Sequence, residues 1–251
     1  MVSIGYKSLW LRADMIAISK KDTFIFACHP GVPCFNECCR NLNQFLYPYD
    51  ILRLTSHLKV HTSTFLEQYT SCHTGPASGL PMVTLRPHPG TDQICPFVSN
   101  EGCRVYPNRP SSCRIYPLAR AISQNRKTGR VREHFALLEE SHCRGREDGQ
   151  TRTVDQWIVS QQLEEYNQAN DRMMALISHK NQHHPGPLSL ANARMFYLVC
   201  YDFDTFRENI LENRWLDEQE LGPDIRAQIA KDDLFLLQFG MDWIQQKIMA
   251  E

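Results

Sequence analysis

The chain has 251 residues, 42% of them apolar and 10% aromatic, with a formal net charge of −1; this fits one or two domains with a real core and excludes a disordered chain. Near-neutral charge gives no clear nucleic-acid signal and names no partner, so a protein partner stays open. No apolar run approaches the roughly 18 residues of a membrane span, and the opening MVSIGYKSLWLRADMIAISKKD lacks the basic start and unbroken apolar core of a secretory signal, so a cytoplasmic location with reduced thiols is expected.

The first feature along the chain is CHPGVPCFNECC, from Cys28 to Cys39, an irregular stretch with Pro30, Gly31 and Pro33. PYDILRLTSHL then offers Asp50 as the N-cap of a short helix, and TSTFLEQY carries Thr64 and Glu67 at capping-box spacing for another. AISQNRKTGRVREHFALL predicts two strands joined by a turn at Lys127–Gly129. Thr153 and Gln156 form a further capping box, after which Val159, Leu163, Tyr166, Met173 and Ile177 fall on one helical face interrupted by Asn170. HKNQHHPGP, from His179 to Pro187, reads as a connection between helices, because Pro185, Gly186 and Pro187 cannot continue one. SLANARMFYLVCYDF predicts a compact apolar helix. Pro223 suits a first helical position, and Ile229, Leu236 and Trp243 follow at sevenfold spacing. Asp202 and Asp204 could hold a cation, but near a helix start capping is the better reading. The fold class is therefore mainly helical α+β: an irregular cysteine-rich half over 24–150 with a small β-hairpin, and a helical region over 151–251 packed on it.

Nine of the ten cysteines lie between Cys28 and Cys143. In a reducing compartment such clustering points to metal or catalysis rather than to disulfides. Cys72 stands apart within the cysteine-rich half and Cys200 lies beyond it; both read as inert, buried thiols. Eight remain: Cys28, Cys34, Cys38, Cys39, Cys95, Cys103, Cys113 and Cys143. One tetrahedral zinc or one four-iron cluster takes four thiolates, so eight suffice for two. Adjacent Cys38 and Cys39 diverge in any regular backbone and fit two metals, or two corners of a cluster, better than one ion. All-thiolate donors suit zinc or an iron–sulfur cluster, and the spacing does not separate them. His29, His73, His88 and His142 lie near thiols and could replace a ligand.

From Cys103 to Arg132 the chain carries Arg104, Arg109, Arg114, Arg120, Arg126, Lys127, Arg130 and Arg132 with no acidic residue. Four thiolates on one Zn²⁺ leave a net charge of about −2. Arg104, Arg109 and Arg114, close to cysteines or proline turns, are expected to compensate that charge, and the stretch from Arg126 to Arg132 reads as a solvated basic face.

At these residues the chain resembles the YkgJ-type cysteine-cluster family, assigned to zinc or iron chelation. The resemblance covers about residues 24–150. It rests on CFNECCR, on CPFVSNEGCRVYPNRPSSCRIYPL and on HCRG. The long segment supplies Cys103, Tyr106, Arg109, Pro110, Cys113, Arg114, Tyr116 and Pro117 of the family pattern. The departure is at the start, where five residues separate Cys28 from Cys34 instead of a tight pair. The resemblance implies metal binding by zinc or iron–sulfur. It also implies a kinship with flagellin lysine N-methylases, which use S-adenosylmethionine, although no strand followed by a glycine-rich nucleotide loop is found. The expected function is a metal-binding protein with a multi-cysteine site. The alternatives are a lysine N-methyltransferase-like enzyme and a zinc-stapled interaction module.

Overall fold

The computed structural model describes residues 15–40, 43–90, 93–125, 128, 130–147, 149–212, 215 and 221–249. The strands in chain order are β1 (Met15–Ile18), β2 (Thr23–Phe26), β3 (Phe45–Leu46), β4 (Thr70–Thr74), β5 (Pro81–Leu85), β6 (Val98–Ser99), β7 (Gly102–Cys103), β8 (Leu118–Gln124), β9 (Val131–Leu138) and β10 (Gln150–Thr153). The helices are α1 (Pro48–Leu58), α2 (Thr62–Tyr69), α3 (Ser111–Ile115), α4 (Val154–Ser160), α5 (Glu164–His183), α6 (Leu190–Tyr201), α7 (Phe203–Leu211), α8 (Pro223–Lys231) and α9 (Asp233–Met249). The class is the mostly helical α+β that the sequence patterns predict. The chain gathers into two compact units built from interleaved stretches: residues before 42 with 97–104 and 111–167, and 42–96 with 105–110 and 168 onward.

In the first unit β8 and β9 form the expected hairpin, from Leu118 opposite Leu137 to Gln124 opposite Val131. Arg126, Lys127 and Gly129 at its turn lie outside the described residues. β1 joins the other edge of β9, with Met15 opposite Leu138, so the hairpin is part of a three-stranded sheet. That pairing spans more than a hundred residues of chain and leaves no local signature. β2 pairs antiparallel with β10, Phe26 opposite Gln150 and Thr23 opposite Thr153. Thr153 then caps α4: its Oγ1 accepts from Gln156 N at 3.1 Å, and Gln156 Oε1 accepts from Thr153 N at 2.9 Å, the predicted capping box. Phe24 and Phe26 meet Trp157 edge-on, and the Trp157 indole donates to Ile115 O at 3.0 Å.

The predicted stripe through Val159 breaks here. The helix ends at Ser160, and Gln162 turns left-handed with φ 51° before α5 begins. Val159 is 77% exposed, while Leu163 and Tyr166 are buried. Buried Arg114 holds this break, donating to Gln161 O at 2.7 Å with its guanidinium 4.8 Å from the centre of the Tyr166 ring.

In the second unit β3, β5 and β4 form a sheet in that order. α1 starts at Pro48, two residues before the predicted cap. Asp50 instead sits inside the first turn and accepts from Tyr47 N at 2.9 Å. Likewise α2 starts at Thr62, with His61 Nδ1 accepting from Ser63 N at 3.3 Å, so Thr64 and Glu67 lie within the helix. α5 runs on through His183, past the predicted connection at His179. Its Lys180 is 1% exposed and donates to Ser78 O at 2.7 Å and to Gly186 O, fixing the loop that follows. Met173 and Leu176 are its buried apolar positions here, while Ile177 is half-buried. α8 starts where predicted, with Pro223 as first residue, and the predicted apolar helix is α6, which Ser189 caps. Ile229 and Leu236 are fully buried and Trp243 is half-buried. Asp202 stands at the N-cap position of α7 without a side-chain cap bond, and both carboxylates turn to the start of α2: Asp204 accepts from Thr62 N at 2.9 Å and Asp202 from Thr62 Oγ1 at 2.7 Å. Among the described residues no helix is long and apolar enough to cross a membrane.

Candidate metal centre

None of the ten cysteines is in a disulfide. Of the eight candidate ligands Cys28, Cys38 and Cys113 are exposed, and Cys34, Cys39, Cys95, Cys103 and Cys143 are partly exposed. None is a core residue, unlike the buried thiol of an ordinary structural cysteine. Cys200 is fully buried, and burial pushes its thiol well above the ordinary range, as an inert core cysteine requires. Cys72 departs from the expectation. It is exposed on β4 and lines an open cavity of about 310 Å³ with Arg86, Tyr197 and Asp202. An edge strand gives it no core to enter.

Seven of the eight lie in the first unit; Cys95 lies in the second, two residues before the chain re-enters the first at Phe97. The loop carrying Cys28, Cys34, Cys38 and Cys39 is a run of turns. Val32 N bonds His29 O at 2.9 Å, Phe35 N bonds Val32 O at 2.9 Å, Glu37 N bonds Cys34 O at 3.0 Å, and Asn36 is left-handed with φ 70°. A short 3-10 turn, Glu37–Cys39, presents the adjacent pair. This loop is tied to the hairpin of β6 and β7, where Asn36 Nδ2 donates to Ser99 O at 2.9 Å. Gly102, with φ 118°, turns its bare Cα to the Phe35 ring; a Cβ there would stand 3.0 Å from Phe35 Cζ. Cys103 therefore enters beside the Cys34 loop. Cys113 sits on α3, between buried Ser111 and Arg114.

The last candidate closes onto the first. Arg144 N donates to Cys34 Sγ at 3.0 Å, and Ala27 N donates to Gly145 O at 2.8 Å. Gly145 has to be glycine, because a Cβ would lie 2.4 Å from Ala27 O. That close approach accounts for the glycine in HCRG, and it sets Cys28 and Cys34 beside the turn that carries Cys143. The turn itself is closed by Cys143 N on Glu140 O at 3.0 Å.

Glu140 was not legible as a site residue, yet it stands at this meeting point. Tyr116 Oη donates to Glu140 Oε2 at 2.9 Å. Burial first, then Cys143 and Glu140, push the Tyr116 phenol well above its ordinary range. A hydrogen bond from the Cys39 thiol is the largest influence on Cys38 and holds it below the usual thiol range, outweighing burial and the charges of Glu140 and Glu37. Among the described residues no three Cys, His, Asp or Glu side chains stand together at metal-ligating distance. The fold does join two of the sulfur-bearing segments, setting Cys34 against the backbone next to Cys143.

Two of the arginines expected to balance thiolate charge, Arg109 and Arg114, make contacts of another kind. Arg109 is buried and in the second unit, its guanidinium 3.9 Å from the centre of the Tyr106 ring and donating to Tyr106 O at 2.7 Å. Arg114 braces the α4–α5 break. In both, a planar guanidinium donates to a carbonyl while it lies against a phenol ring, a geometry that suits arginine better than lysine. Among the histidines, His29 Nδ1 accepts from Gly31 N at 3.1 Å, and His142 Nε2 lies 3.6 Å from Glu140 Oε2.

Residues 27–144 match the model of the CxxCxxCC family, whose description reads "Putative zinc- or iron-chelating domain". No curated protein and no solved structure matches the chain. The donor set fits such a group. The eight thiols are outside disulfides and exposed or partly exposed, and a backbone N–H already serves one sulfur as it would a thiolate.

Proposed function

We propose, from the match of residues 27–144 to the zinc- or iron-chelating CxxCxxCC domain, that the protein is a cytosolic metal-binding protein. In this reading its metal-binding domain spans about 24–150, and Cys28, Cys34, Cys38, Cys39, Cys103, Cys113 and Cys143 hold an iron–sulfur cluster, zinc, or one of each. Cys95 joins them by its place in the sequence alone. Seven thiols in one unit exceed the four that one tetrahedral ion takes, which favours more than one metal atom.

One observation carries the reading. Between residues 27 and 40 only Val32 is buried, and among the described residues of 137–153 only Gly145. Yet these loops converge, through Arg144 N on Cys34 Sγ and Ala27 N on Gly145 O. Loops that bury so little apolar surface need another source of order, and metal binding supplies folding free energy directly. When bound, the metal would cross-link the thiolates and, as a cluster, could carry electrons. The chain's own part is to aim the sulfurs through tight turns and to offer them N–H donors.

The test is anaerobic purification followed by elemental analysis and visible absorption. The expected result is stoichiometric metal, lost in Cys34→Ser and Cys143→Ser and kept in Cys200→Ser. Iron with sulfide and a brown colour identifies a cluster; colourless protein with zinc identifies zinc. Protein free of both metals, or full metal content in Cys143→Ser, defeats the proposal.

A further inference from the structure

We infer that the cavity lined by Cys72 is a binding site for a free amino acid, whose carboxylate is held by Arg86 and whose ammonium is held by Asp202 and Glu67. This goes beyond the metal-binding reading and does not depend on it. Every residue involved lies in the second unit. Glu67 comes from α2, Cys72 from edge strand β4, and Arg86 from the position just after β5. Tyr197 comes from α6, and Asp202 from the junction of α6 with α7.

Three charged side chains share this cavity without neutralising one another. Among the described residues none of Glu67, Arg86 and Asp202 forms an ion pair. Arg86 is anchored by its own strand neighbours: Nη2 donates to Thr70 O, and Nε donates to Ser71 Oγ at 3.5 Å. A guanidinium has five N–H donors, so the others are left for a ligand carboxylate. Asp202 Oδ1 accepts from Thr62 Oγ1 at 2.7 Å, and its second oxygen has no donor among the described residues. The half-buried Tyr197 hydroxyl likewise has no hydrogen bond among them. Burial first, then Cys72 and Asp202, push its phenol up to about 12, so at neutral pH it is a protonated donor. A simple anion placed here would meet two carboxylates, and a simple cation would meet the guanidinium. A molecule carrying both charges satisfies both. The cavity of about 310 Å³ is at the low end of small-molecule sites, roughly 300–1,000 Å³, which suits one amino acid rather than a peptide.

The test uses exposed Cys72 as a reporter in the full chain. Its alkylation by a maleimide is followed by peptide mass spectrometry. The probes are the standard L-amino acids, one at a time, each beside its N-acetyl and its amide derivative. The expected result is saturable slowing of Cys72 alkylation by a free amino acid, absent with the two derivatives at the same concentration. Arg86→Ala should weaken the apparent affinity by about tenfold, as loss of a charge-assisted hydrogen bond does. Asp202→Asn keeps an acceptor for Thr62 and removes the charge; it should weaken affinity by about two- to fivefold. The inference is overturned if no amino acid slows the reaction, or if the N-acetyl and amide forms protect as well as the free amino acid. Unaltered affinity in Arg86→Ala also overturns it. Each of these results leaves metal binding standing, since the metal content of the same samples is measured separately.

Discussion

Between residues 27 and 40 one side chain, Val32, is buried, whereas α6 and α7 together bury Phe196, Val199, Tyr201, Phe203, Phe206 and Ile210. The helical unit is held by ordinary apolar burial, worth about 25 cal/mol per Å². The cysteine loops have almost none of that. They are held by turns, by a few long-range backbone hydrogen bonds and, in the proposed function, by metal. The same chain thus depends on two kinds of cohesion, and perturbations should separate them.

Metal removal should have the largest effect. Structural zinc contributes on the order of 10 kcal/mol in small metal-dependent folds. Chelation should expose residues 27–40 and 139–149 to protease while α6–α9 stay protected, as read by limited proteolysis with mass spectrometry. Equal protection of the loops with and without chelator would erase the contrast. Phe206→Ala strikes the other unit, where the ring is fully buried. It should cost about 3–5 kcal/mol in denaturant unfolding with metal content unchanged. Gly145→Ala should cost about 1–3 kcal/mol through overpacking against Ala27 O and lower metal content with it, because that contact joins the first and last cysteine segments. Thr153→Ala should cost about 1 kcal/mol by loss of the α4 cap.

The smallest effect belongs to the sheet surface. Burial raises the Glu133 pKa, but Lys20 and Arg120 outweigh it and hold the carboxyl below its ordinary value; Arg120 Nε donates at 2.8 Å. A depressed carboxyl contributes stability above its unfolded pKa of about 4.3, and the contribution fades as pH falls through the lower folded value. Partial exposure screens the pair. Glu133→Gln should therefore cost under about 1 kcal/mol at pH 7 and nothing at pH 2–3, measured by unfolding at both.

The sequence carried the chemistry of the site further than its geometry. Thiol type and clustering already pointed to metal, and Thr153–Gln156 and Pro223 marked helix starts by local rules. Local rules failed where a distant or unusual partner intervened. Asp50 lies three residues inside its helix and reaches back to Tyr47 N, while Asp202 and Asp204 serve a helix some 140 residues earlier. Val159 looked like core until Gln162, neither glycine nor asparagine, turned left-handed and split the helix. Glu140 gave no signal, because an acidic residue near a cysteine is ordinary until the fold sets Tyr116 beside it. The first-unit sheet likewise needed β1 to meet β9 across the chain.

X-ray absorption at the metal edge of anaerobically purified protein tests most directly whether the cysteine segments converge on metal. The expected first shell is sulfur, about four per metal at about 2.3 Å, in the unaltered chain and in Cys200→Ser alike. A shell of nitrogen and oxygen without sulfur would contradict the central claim, whatever the metal content.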